Sequence, residues 1–67
     1  MSKNIQRLFN NLEHIQIIDK WFRIGKYENI EQDRFYLASK IKQYFPEYRE
    51  CDCFELSDSL ESIFAIE

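Results

Sequence analysis

Residues 5–25 read IQRLFNNLEHIQIIDKWFRIG, and apolar side chains recur in this stretch at intervals of three and four. That spacing lines up Ile5, Leu8, Leu12, Ile15, Ile18 and Phe22 on one side of an α-helix. Neither Gly nor Pro falls inside the stretch, and Gly25 stands where a left-handed cap residue closes a helix, so the pattern predicts one helix over roughly residues 3–24. Ile17, Trp21 and Ile24 form a second stripe on the other side. A helix that is apolar nearly all round has to be covered twice, because an exposed Ile-Trp-Ile stripe is a contiguous apolar patch. Two covers are available: a C-terminal helix bringing Leu60, Ile63 and Phe64, or a second molecule docking on Trp21 as a dimer seam or partner groove.

Beyond Gly25 the same period returns. Asn29 is a good N-cap residue with Gln32 three positions on, and Ile30, Leu37, Ile41 and Phe45 continue the stripe until Pro46 stops it, predicting a second helix over about 30–45. Pro46 can itself open a short helical turn through Tyr48 and Cys51. Ser57 or Asp58 can cap a last helix, with Asp58 and Glu61 spaced as a capping box and Leu60, Ile63 and Phe64 on one side; the alternative is an extended segment from Cys51 to Leu56. Phe64 and Ile66 are expected to dock. The fold expected is all-α, a three-helix bundle with a short fourth turn, one domain over residues 1–67. Its expected core is Leu8, Leu12, Ile15, Phe22, Leu37, Ile41, Phe45, Leu60 and Phe64. Sixty-seven residues hold one small core worth only ~3–5 kcal/mol, which homodimerisation through the second stripe would supplement.

Charge is divided along the chain. All nine Lys and Arg lie within residues 1–49, where six acids leave a net of +3; residues 50–67 carry six acids and no base, a net of −6. Such an asymmetry faces either the chain's own Lys20, Arg23, Lys26, Lys40 and Lys42 or a partner. Nucleic-acid mimicry by the acidic end is a further reading, while the net charge of −3 disfavours a strongly basic nucleic-acid binder. A helix-turn-helix register fails, because Trp21 falls where the first helix needs a small residue and Lys20 and Lys26 fall at apolar positions. The first twenty residues mix Lys3, Arg7, Glu13 and Asp19 with apolar positions, unlike a secretory leader, and the run Ile63-Phe64-Ala65-Ile66 is far below the ~20 residues that span a bilayer. Cys51-Asp52-Cys53 is no disulfide framework, which points to the cytoplasm.

Chemistry-bearing motifs are few. Cys51, Cys53 and His14 make three candidate metal ligands without a fourth, and Cys-x-Cys on a helix points its thiols apart, so neither metal nor cofactor is expected. Asp58-Ser59-Leu60 resembles the attachment triplet of acyl carrier proteins over three residues, but that fold implies two further helices beyond the serine and eight residues follow here. One glycine leaves no phosphate-cradling loop, and the chain is read as a non-enzyme. What stands out is aromatic: Trp21, Tyr27, Phe35 and Tyr36 gather about the turn between the first two helices, with Phe35 almost opposite Leu37 on its helix. The expected partner-binding residues are therefore Ile17, Trp21, Ile24, Tyr27, Phe35 and Tyr36, in a small regulator or inhibitor that occludes another protein and uses its acidic end for encounter. A dimeric DNA-associated regulator using Arg34, Lys40 and Lys42, or a structural subunit, are the alternatives.

Overall fold

A computed structural model describes residues 3–65. Four α-helices, α1 (Lys3–Phe9), α2 (Leu12–Ile24), α3 (Glu31–Tyr44) and α4 (Cys53–Phe64), and a 3-10 turn at Pro46–Tyr48 make a small all-α bundle. The radius of gyration is 10.5 Å, close to the ~11 Å of a compact globule of this length. One core forms from Ile5, Leu8, Ile18, Leu37, Ile41, Leu56 and Leu60, none of which meets solvent, with Tyr48, Phe45, Ile63 and Phe64 at its edges.

The predicted first helix is two helices. Asn11 takes an extended conformation (φ −108°, ψ 90°) and its carboxamide oxygen accepts from the backbone N–H of His14 at 3.1 Å, capping α2. Paired asparagines are poor helix formers whose short polar side chains compete for backbone groups, so the chain breaks at Asn10–Asn11 although the apolar spacing runs through it. Leu12 is consequently 67% exposed rather than a core residue, while Ile15 and Phe22 are half-buried against the core that Ile18 enters fully.

The end of α2 differs in the same way. Gly25 is right-handed (φ −76°), and the left-handed residue is Lys26 (φ 56°). Lys26 N–H donates to Arg23 C=O at 3.2 Å and Tyr27 N–H to Phe22 C=O at 3.1 Å, the paired bonds of a Schellman motif with Lys26 one position past the cap. Gly25 is required sterically: a Cβ there would lie 2.7 Å from Tyr27 Cδ2 and 3.0 Å from Trp21 C=O, so the Tyr27 ring occupies the space a side chain would fill. The chain thereby places a lysine in a conformation costing roughly 1 kcal/mol or more in order to fold an aromatic ring over glycine.

Ile30, not Asn29, is the N-cap of α3, with no side-chain cap bond. Asp33 reaches back to accept from Glu28 N–H at 2.7 Å. Asn29 is engaged elsewhere: its Nδ2 donates to the Glu61 carbonyl at 3.3 Å and its Oδ1 and main-chain carbonyl accept from Arg34 Nη1 at 3.0 and 2.8 Å. Ile30 is exposed, whereas Leu37, Ile41 and Phe45 are buried as the stripe predicts. Pro46 opens the expected turn, which buries Tyr48; burial raises the Tyr48 phenol above its ordinary value, and its hydroxyl bonds His14 Nδ1 at 2.7 Å. The last helix begins earlier than predicted and replaces the extended alternative at 51–56: Asp52 is the N-cap, its carboxylate accepting from Glu55 N–H at 3.1 Å, and Ser57 is buried inside α4. Phe64 docks as expected; Ile66 lies outside the described residues.

Candidate functional site

Both sides of α2 are covered from within the chain, by different elements. Phe22 stacks flat on Phe64 of α4, ring centroids 4.1 Å apart and planes 9° from parallel. Trp21 packs against the core that includes Leu60, Ile63 and Phe64 and also meets the C-terminal end of α3: the Tyr44 ring lies 5.2 Å away in a T-shaped arrangement, Phe45 lies 5.7 Å away, and Lys40 Nζ sits 4.7 Å from the ring centre. The half-buried indole thus has a cation over its ring and two aromatic rings packed against it.

Around this filled centre the face stays apolar and open. Tyr36, Lys40 and Tyr44 stand at i, i+4 and i+8, which stacks them along one side of α3. Tyr36 is 54% and Tyr44 64% exposed. Tyr27, half-buried beside the turn, lies 5.4 Å from the Tyr36 ring, and a hydrogen bond with Tyr36 is the main cause that holds its phenol above the ordinary value. From α2, Ile17 is half-buried against the core and Ile24, one turn and two turns along with Trp21, is 70% exposed. Lys20, Lys26 and Lys40 are all exposed on or beside this face.

Five of the six predicted residues, Ile17, Trp21, Ile24, Tyr27 and Tyr36, therefore come from the two helices and the turn that build one face. Phe35 does not join them. It sits about 100° around α3 from Tyr36 and pairs with Phe54 of α4 at 5.1 Å. Tyr44 and Lys40 complete the face; the i, i+4, i+8 spacing puts them on one side of α3 with Tyr36 but does not by itself set that side against Trp21, and Phe54 follows from the earlier start of α4.

The other candidates have structural roles. Arg34 is half-buried, with Nη1 bonded to the carbonyl and the side chain of Asn29. Lys40 covers Trp21 instead of meeting the acidic helix. Cys51 is buried, its thiol pushed up chiefly by burial, and Cys53 is half-buried with Sγ 3.5 Å from Ser39 Oγ. Among the described residues no group of three His, Cys, Asp or Glu side chains is placed to hold a metal ion, and no helix is long and apolar enough to cross a membrane. Ser59 lies inside α4 with its hydroxyl donating to Glu55 C=O at 2.9 Å, not at the helix start that the carrier-protein triplet implies. No family model, curated protein or solved structure matches the chain.

Proposed function

We propose that this chain is a small protein-binding regulator that acts by occlusion, laying the α2–α3 face onto a folded partner. The observation that supports this reading is the exposure of Ile24, Tyr36 and Tyr44 around an indole that is already packed. Large apolar and aromatic side chains gathered on one side of a monomer mark an interaction surface, and tyrosines supply contact area at low entropic cost. The exposed Lys20, Lys26 and Lys40 give the face a positive rim, so the partner patch is apolar with carboxylates at its margin.

Photo-crosslinking in the native cell tests the reading. Benzoylphenylalanine at position 44 is expected to yield one discrete adduct with another protein, and Ile24→Asp in the same chain is expected to abolish it. Because Ile24 is exposed, that change leaves the melting free energy within about 0.5 kcal/mol of the parent while weakening binding at least tenfold, about 1.4 kcal/mol. No adduct, an adduct indifferent to Ile24→Asp, or submicromolar binding to a random duplex that falls more than tenfold from low to moderate salt would each overturn the proposal.

A further inference from the structure

On the other side of α2 lies a trough whose shape and charge differ from those of the aromatic face. Trp21 and Asp19 are about 160° apart around the α2 axis, so the two surfaces do not merge on that helix. Three hollows meet at Phe9 and Ser62, and the one between α2 and α4 has a volume of about 450 Å³. Phe9, Ile15 and Ile63 make its floor. Ser59 and Ser62 keep the α4 wall low, because small side chains stand where bulky ones would close the gap. Carboxylates dominate the rim: Asp19 at one end, bridged to Arg23 at 2.8 Å, and Asp58 and Glu55 at the other.

We propose that this trough is a second docking site, one that takes an amphipathic helix carrying Lys or Arg from another protein. Three features select that occupant. A volume of this order is that of a small-ligand pocket and accepts more than one apolar side chain. The hollow beside α2 follows residues 15–23, about 12 Å or two helical turns, and continues past Phe9 and Ser62 into the hollow along α4 residues 55–62, a length that matches anchors at i, i+3 or i+4, and i+7 in the helix-in-groove mode. Asp58 and Glu55 attract a cationic rim and repel an acidic one, while Asp19 is already paired with Arg23, so charge selects among apolar helices at the Asp58 end.

The probe is an 18-residue Leu/Lys peptide with leucines on one helical face, compared with the same pattern built from Leu and Glu, titrated against the full chain by fluorescence anisotropy. One-to-one, saturable binding of the Leu/Lys peptide alone is expected. Ser62→Phe fills the trough without changing charge, from an exposed position, and is expected to weaken binding at least tenfold. Asp58→Lys, also exposed, is expected to weaken it several-fold, and Ile24→Asp on the aromatic face to leave it unchanged, so this site and the α2–α3 face succeed or fail separately. Circular dichroism confirms that each variant is folded, and Asp58→Lys carries the test if Ser62→Phe is not. Equal binding of the Leu/Glu peptide, or full affinity in a folded Ser62→Phe or Asp58→Lys variant, would overturn the proposal. So would self-association of the chain that Ser62→Phe or Asp58→Lys abolishes, since the occupant would then be a second copy bringing its own Lys20, Lys26 and Lys40.

Discussion

Phe64→Ala is expected to remove the cooperative unfolding transition at 25 °C. Phe64 is almost fully buried, lies near the end of α4, and stacks on Phe22 of α2 with ring centroids 4.1 Å apart. Truncating a buried phenylalanine costs about 3–5 kcal/mol, of which the aromatic pair accounts for roughly 1 and the emptied volume for much of the rest. A core of this size supplies only ~3–5 kcal/mol in total, so the loss is comparable to the whole stability. A urea melt followed by circular dichroism at 222 nm should show no folded baseline, or a midpoint near zero denaturant. A melt within about 1 kcal/mol of the parent would mean that α4 does not close on α2, because this stack is the principal aromatic contact between them.

Trp21→Ala is the second large effect, and it separates packing within the chain from packing between chains. The indole contacts Tyr44 and Phe45 and carries Lys40 over its ring. A half-buried tryptophan loses less than a fully buried one, so about 2–3 kcal/mol is expected, including roughly 1 from the cation–π contact. The loss should be independent of protein concentration, because Tyr44, Phe45 and Lys40 belong to the same chain as the ring. Ile24→Ala, from the same stripe but exposed, should stay within about 0.5 kcal/mol of the parent. Parent-like stability for Trp21→Ala, or a loss that appears only at concentrations where the parent associates, would place the cover of the indole in another molecule.

How far the letters carried depends on whether a feature is local. The stripe Leu37, Ile41, Phe45 and the turn opened by Pro46 need only the helical period and the chemistry of proline, and both stand in the structure. The break at Asn10–Asn11 was masked because Leu12 happens to continue the three-four spacing, so the weak helix propensity of two asparagines had no visible competitor. At the other end, Asp52-x-x-Glu55 and Asp58-x-x-Glu61 are equally good caps by spacing. What decides between them is the burial of Leu56 and Ser57 inside α4, a tertiary effect absent from any window of sequence. The left-handed lysine is a further case: glycine is the residue that favours positive φ, but Gly25 is the right-handed C-cap and Lys26 takes the positive φ one residue on.

The aromatic face was legible in kind and incomplete in membership. That α2 needs a cover on each side follows from its two stripes; Phe64 covers Phe22, Tyr44, Phe45 and Lys40 pack on Trp21, and Ile24 of the second stripe stays exposed. The sequence places Phe35 beside Tyr36, yet one step around α3 sends it toward Phe54 of α4. Tyr44 escaped notice because its helical neighbours at i−4 and i−8, Lys40 and Tyr36, join it to the face only once Trp21 is known to lie against that end of α3.

Proton NMR of the chain at low micromolar concentration tests most directly whether the indole is packed within its own molecule. With Lys40 Nζ 4.7 Å above the ring of Trp21, the Lys40 side-chain methylenes should resonate upfield of ordinary lysine values, and the indole should show cross-relaxation to the Tyr44 ring, both unchanged on tenfold dilution. Unshifted Lys40 methylenes with no Trp21–Tyr44 cross-peak, or signals that fade on dilution, would contradict the account and make the tryptophan itself the contact between molecules.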